Sequence, residues 1–415
     1  MSSIRPANTG LDHLARMIQS PFARLRTELD GIEPGQPPLD LTIGEPRHPM
    51  PPFLLDALQE AFAGYAKYPP IQGTPALLDA IASWIGRRYP SLAGAIEAGR
   101  HILPLSGSRE GLFTVIFPAM ARRSDVAKPA ILMPNPFYQA YLAAAVAAKA
   151  EPVFLPCEEA TGFLPDLDAI PPETLSRTVA FYLASPSNPQ GAVASLDYLK
   201  KAVALARQHD FLLLLDECYS EVYTNAPPPG GLAAAYAASG DFANVLVLNS
   251  LSKRSNVPGL RSGFIAGDAG FLAAFSRFRN VAAPQMPLPV QHASARLWSE
   301  EAHVEASRAL YVEKFSAVRD LLAGVIDIDV PPGAFFLWLN MAHLGGGELA
   351  TKTFWKECGV KVLPGAYLAQ TDSSGRNPGA DYVRIALVDD LTLTKEAITR
   401  LRDLKNGTHF SEKSS

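Results

Sequence analysis

The sequence predicts an α/β fold organised around a mainly parallel sheet, and three apolar runs carry that prediction. VAFYLA (179–184), FLLLLD (211–216) and NVLVLN (244–249) each hold four to six consecutive apolar residues bounded by polar ones. Such runs read as strands buried on both faces, because a half-exposed strand would alternate apolar with polar. HILPLS (101–106), PAILMP (129–134), EPVFLP (151–156) and GFIAGD (263–268) read as further strands. Ahead of them, LDHLARMIQSPFARLRTEL (11–29) is amphipathic and runs into the Pro/Gly-rich connector GIEPGQPP (31–38). Towards the other end, AFFLWLNM (334–341) and YVRIAL (382–387) read as strands of a second, smaller sheet.

The chemistry-bearing residues fall where these strands end. Asp216 closes FLLLLD, and open α/β sheets bind ligands at the carboxyl ends of their strands. A carboxylate there either pairs with a protonated cofactor nitrogen or caps the next helix; Tyr219, three residues on, either faces the same pocket or packs. VAFYLA leads into SPSNPQG (185–191), in which prolines and a glycine shape a turn and Asn188 offers an amide. Residues 250–264, SLSKRSNVPGLRSGF, place Lys253 directly after Ser250 and Ser252 and ahead of an arginine, Arg261, eight residues on. A partly desolvated lysine forms a Schiff base with an aldehyde cofactor, and hydroxyls with an arginine fork suit a phosphate ester. A lysine beside a phosphate site points to pyridoxal 5'-phosphate (PLP). Alone, the stretch reads more readily as a solvated basic turn; the strands upstream overturn that.

Strand–SNPQG, strand–DECY and SLSK with its arginine, in that order, resemble the fold type I PLP-dependent enzymes of the class I/II aminotransferase branch. The resemblance runs from LTIGEP (41–46) to YVRIAL (382–387). It implies that Lys253 carries the cofactor and shuttles the proton, that Asp216 keeps the pyridine nitrogen protonated, and that Asn188 and Tyr219 bond the ring oxygen. Ser250, Ser252 and Arg261 match phosphate-binding positions, as do Gly107, Ser108 and Arg109 of LPLSGSREGLF (103–113), a strand-to-helix turn. Helix N-termini bind anions through unpaired amides. MPNPFYQAY (133–141) supplies the aromatic platform for the ring, Tyr138 ahead of Phe137. Tyr68 matches a tyrosine that crosses to the neighbouring subunit's phosphate, which implies a homodimer with shared active sites. Arg384 matches the clamp on the substrate α-carboxylate; an arginine inside an apolar strand needs an anionic partner. Gly44 matches a main-chain contact from a loop that closes over substrate.

The same resemblance implies a large PLP-binding domain (46–295) with a seven-stranded sheet in which GFIAGD runs antiparallel. An arm (1–45) belongs with a small C-terminal α+β domain (296–405), a long connecting helix begins near Pro284–Pro289, and a disordered tail follows (406–415). LTIGEPRHPMPPFLLDAL, SLSKRSNVPGLRSGF and APQMPLPVQHAS look most like the succinyldiaminopimelate aminotransferase group. That group converts N-succinyl-L-2-amino-6-oxoheptanedioate and glutamate to N-succinyl-LL-2,6-diaminoheptanedioate and 2-oxoglutarate in lysine biosynthesis. Its substrate carries three carboxylates, so Arg47, Arg109 and Arg254 are candidates for the further anion sites, with Gln285 and Met286 as possible lining.

Global properties agree with an enzyme of small molecules. The 415 residues are 48% hydrophobic, and a net charge of −4 gives no electrostatic reason to expect nucleic acid or an anionic membrane. Cys157, Cys218 and Cys358 are widely spaced, which speaks against a disulfide scaffold or a zinc site, and Cys218 is expected as a small buried residue. The eight histidines show no metal-ligand spacing. The N-terminus lacks an apolar signal core, so a cytoplasmic location is expected. Other readings are an aminotransferase for aspartate, N-acetylornithine, alanine or aromatic amino acids, and a PLP-dependent β-lyase. A ligand-sensing regulator on the same fold would need an added DNA-binding domain, for which some 40 non-basic residues ahead of the core are too few.

Overall fold

The computed structural model describes residues 19–326 and 328–406. Residues 11–18 of the amphipathic segment lie outside this range. Of the expected tail, Asn406 closes the last helix and 407–415 lie outside the described residues.

Twelve strands form three sheets among the described residues. In chain order they are β1 (Leu39–Asp40), β2 (Ile102–Leu105), β3 (Ala130–Asn135), β4 (Glu151–Pro156), β5 (Thr178–Ala184), β6 (Leu212–Asp216), β7 (Val245–Ser250), β8 (Gly263–Gly267), β9 (Phe336–Asn340), β10 (Val360–Lys361), β11 (Leu363–Pro364) and β12 (Tyr382–Ala386). The seven strands read from the sequence make one sheet in the order β2-β8-β7-β6-β5-β3-β4, and β8 alone runs antiparallel to its neighbours.

The apolar runs have a direct cause. Leu213, Leu215, Phe181, Leu183, Val245 and Val247 pack into the core on one face of this sheet. Their alternate neighbours Leu212, Leu214, Ala180, Tyr182, Leu246 and Leu248 pack into the core on the other. A strand whose side chains alternate between two dry faces has no polar positions to show. Register then sets the level of the site: Ala184 pairs with Asp216, and Asp216 with Leu248. Leu105 and Ser250 both pair with Gly263, so the ends of β2 and β7 flank the start of β8.

The smaller C-terminal sheet, β11-β12-β9, is antiparallel and contains both predicted strands. The arm joins it. Helix Pro21–Glu28, capped by Ser20, seats Leu25 and Leu29 on Leu363, Tyr367 and Leu368. Arg24 pairs with Glu348 at 2.7 Å and lies 3.8 Å over the Tyr367 ring. The connector then crosses Trp355, whose Nε1 donates to Ile32 O at 2.7 Å, and ends in β1, which pairs with β10. This two-stranded pairing was not visible in the sequence pattern, because two residues are too short to show a period.

The connecting helix is two helices, Leu288–Ser299 and Ala302–Leu322. Glu300 leaves helical geometry (φ −117°, ψ 134°) and its carboxylate accepts from Ala302 N at 2.7 Å and His303 N at 3.2 Å. An acidic side chain that satisfies the first free amides of a helix starts a new one.

Candidate active site

The carboxyl ends of β5, β6 and β7 and the turn after β2 open into one cleft of about 880 Å³. Lys253, Asp216, Tyr219, Asn188, Ser250, Ser252, Arg261, Ser108, Arg109, Tyr138, Gly44 and Arg384 all line it. Residues up to 340 positions apart in sequence are therefore brought to one surface.

Lys253 sits in the short helix Leu251–Arg254, whose N-cap Ser250 accepts from Ser252 N at 3.1 Å. Its Nζ donates to Gly44 O and lies 5.4 Å from the centre of the Phe335 ring. Burial lowers its pKa to about 8, with the Arg384 charge adding to the shift. Asp216, 8% exposed, accepts from Tyr141 OH at 2.8 Å and from Cys218 N at 3.2 Å, and burial raises its pKa. Tyr141 was missed in the sequence. It sits three residues beyond Tyr138, the i,i+3 spacing that brings side chains to one helix face, and its ring stacks on Tyr182 at 4.4 Å.

Arg384, 3% exposed, donates to Asn188 Oδ1 at 2.9 Å and to Thr42 O at 2.5 Å. Among the described residues its Nε finds no hydrogen-bond partner and no carboxylate balances its charge. Burial lowers its pKa to about 10. A guanidinium held this way has unmet capacity for an anion. Tyr219 packs edge-on against Phe335 and Phe336, at 5.3 and 5.8 Å.

At the other end of the cleft Gly107 (φ +84°) precedes the helix Ser108–Thr114. A Cβ there would lie 2.1 Å from Arg261 Nη2, so the turn is open only to glycine while Arg261 stands beside it. Ser250 Oγ and Ser252 Oγ are 3.0 Å apart. Arg109 Nε donates to Tyr138 OH, and Tyr138 faces the cleft. Phe137, 5% exposed, packs towards Phe154 at 5.1 Å.

Other expectations are corrected. Arg254 is 1% exposed and turned away from the cleft: it pairs with Glu301 at 2.7 Å and donates to Leu297 O. Arg47 pairs with Asp389 and does not line the cleft. Met286 belongs to the core, and neither it nor Gln285 reaches the cleft. Cys218 is only partly buried and lines the cleft, its Sγ donating to Ser108 Oγ at 3.0 Å; burial holds the thiol well above its usual range. Tyr68 is no such correction: expected at the neighbouring subunit's phosphate, it stands 99% exposed outside its own subunit's cleft. Glu45, at the cleft wall, was not singled out from the sequence.

The sequence pattern of the family "Aminotransferase class I and II" matches residues 36–400. The chain is a class I/II aminotransferase. An aminotransferase from Neisseria meningitidis has the same fold over 95% of this enzyme and all of its own length, at 40% identity and a TM-score of 0.89. A probable N-succinyldiaminopimelate aminotransferase from Thermus thermophilus covers 93% of the enzyme and all of its own chain, at 27% identity and a TM-score of 0.80. LL-diaminopimelate aminotransferase 2 of Trichormus variabilis is 28% identical over 92% of the enzyme and 95% of its own length.

Class I/II aminotransferases are PLP-dependent, and the aminotransferase's cleft suits that cofactor. It offers an amine of lowered pKa, a buried carboxylate opposite an aromatic wall, and hydroxyls with an arginine around an open glycine turn. Among the described residues no helix is long and apolar enough to cross a membrane, and no cluster of side chains could hold a metal ion.

Proposed function

We propose that this enzyme transaminates N-succinyl-LL-2,6-diaminoheptanedioate and glutamate with their oxo acids, the reaction of diaminopimelate and lysine biosynthesis. The observation that carries an amino-acid substrate is Arg384, buried in the cleft with no carboxylate partner among the described residues. A long side chain is supported by the cleft beyond it, which continues past Ile43 to Phe22 and to Phe163, Leu164 and Pro165. The Thermus enzyme's name supports the succinylated donor.

PLP, when bound, supplies the electron sink that makes the donor's Cα proton removable. Lys253 Nζ, its pKa already near 8, would be the base that holds that proton. Asp216 keeps the ring nitrogen protonated, and Tyr141 OH and Cys218 N hold its carboxylate in place. Asn188 and Tyr219 would bond the cofactor's ring oxygen. Ser250, Ser252, Arg261, Ser108 and the amides after Gly107 would hold the phosphate, and Tyr138 would cover the ring. Arg384 and Gly44 bind the α-carboxylate. Phe335, Phe336 and Tyr219 exclude water around Lys253.

Residues 46–295 form the cofactor-binding body in this reading, and the described part of the arm, 19–45, with 296–405 the smaller one. The enzyme works as a homodimer: Phe62, Tyr65 and Tyr68 stand 66%, 54% and 99% exposed together, an apolar face that suits a second subunit. A cytoplasmic location follows from the pathway.

Glu45 favours a second reading, in which the donor is unsuccinylated LL-diaminopimelate. A carboxylate at the cleft wall suits a distal ammonium, and the Trichormus enzyme is named for that substrate. The test is a half-reaction on PLP-loaded protein, in which an amino donor bleaches the cofactor's visible band. Glutamate and N-succinyl-LL-diaminopimelate should bleach it and aspartate should not. Bleaching by LL-diaminopimelate but not by its succinyl derivative selects the second reading. Release of ammonia and pyruvate would mark a lyase and sink both.

A further inference from the structure

The segment IGEPRHP (43–49) carries Gly44 to the cleft, yet its two basic residues point elsewhere. Lys314, on the helix Ala302–Leu322, is 2% exposed. Its Nζ donates to Leu387 O at 2.6 Å, to Asp389 O at 2.8 Å and to His48 Nε2 at 2.8 Å. A lysine ammonium has three donors and no acceptor, so the His48 nitrogen facing it must be the one with a lone pair. The proton then sits on Nδ1, which donates to Ser307 Oγ at 3.1 Å. Ser307 in turn takes Asn256 Nδ2 at 3.1 Å, three residues after Lys253. The His48 ring rests 4.3 Å from Tyr311, which stacks on Phe335 beneath Lys253. One residue back, Arg47 pairs with Asp389.

One imidazole thus joins the three segments that bring Lys253, Gly44 and Arg384 to the cleft. Leu387 and Asp389 follow Arg384 by three and five residues, and His48 follows Gly44 by four. We propose that His48 and Lys314 are positioning residues for amino-acid binding: the neutral imidazole, locked onto a buried ammonium, holds the Gly44 loop in register with Arg384. The inference rests on Gly44 and Arg384 as the donor-carboxylate groups. A side chain at 48 without an acceptor would leave one N–H of a buried ammonium unpaired and free the loop.

The test compares H48F, H48Q and K314M with the unaltered holoenzyme. Glutamine keeps an amide oxygen for Lys314 and an N–H for Ser307; phenylalanine fills the space and keeps neither. In single turnovers with glutamate, H48F should raise the half-saturating concentration about tenfold while the limiting rate changes less than about threefold, a loss of binding rather than of chemistry. H48Q should restore the original value. Trypsin is the second readout: the peptide bond after Arg47 should be cut in H48F and K314M and stay intact in the unaltered protein and H48Q, read by mass spectrometry. Unchanged half-saturation with an intact bond in H48F overturns the proposal, and so does H48Q behaving like H48F. Where H48F does not fold, K314M decides on the same two readouts. If glutamate fails to bleach the unaltered enzyme, the amino-donor reading falls and the cleavage pattern alone judges the His48 clasp.

Discussion

Lys253 differs from a surface lysine because its surroundings disfavour charge: burial lowers its pKa to about 8. Capture of PLP by the cofactor-free protein should therefore quicken as pH rises to about 8 and level off above it. An ordinary lysine would keep gaining reactivity towards its own pKa near ~10.4. The rate of appearance of the visible cofactor band against pH checks this, and Lys253→Ala should abolish the band. Arg384→Ala should raise KM for every amino donor by roughly 10- to 100-fold, the worth of a charge-assisted hydrogen-bonded contact; an unchanged KM would make Arg384 structural. Lys253, Asp216 and Asn188 were legible because each sits in a short motif at a strand end. Arg254 and Arg47 were not, because a motif does not say which way a neighbouring side chain turns. Their partners, Glu301 and Asp389, stand 47 and 342 positions away.

Strand ends and turns set the cofactor cradle. Gly107 closes the turn after β2 against Arg261, and a methyl there would meet the guanidinium at 2.1 Å. Gly107→Ala should weaken PLP binding with little loss of the bare fold. In thermal melts, the gain in Tm on adding PLP should shrink, since a ligand stabilises by mass action in proportion to its affinity. Leu214, wholly buried between β5 and β7, is the contrasting case: Leu214→Ala should cost about 2–5 kcal/mol in urea unfolding, through the cavity it leaves. Six of the seven large-sheet strands were readable since burial on both faces leaves an apolar run, and the half-exposed edge strand β4 was readable from the apolar core of EPVFLP between turns. The break at Glu300 was not, because Ser-Glu-Glu between two helical stretches continues a helix as easily as it restarts one until the carboxylate is seen capping Ala302.

Across the whole molecule, pH should act through the joint at His48. Burial and the Lys314 charge lower its pKa from 6.5 to about 4. The unfolded chain then binds a proton that the folded one refuses, so stability is full above pH 6.5 and falls as pH drops towards 4. The urea midpoint of the unaltered protein should decline across this window, and H48Q, which has no such group, should decline less. An equal decline in both would assign the acid sensitivity to other groups.

The sequence by itself determined the strands of the large sheet, the family and most of the residues that line the cleft at the strand ends. Those depend on apolar period and on short motifs, which are local properties of the chain. Tertiary structure alone decided what pairs across distance: Tyr141 under Asp216, Arg384 against Asn188 and Thr42, and His48 on Lys314. A buried polar group must find a partner wherever the fold puts one, and no spacing along the chain records where that is.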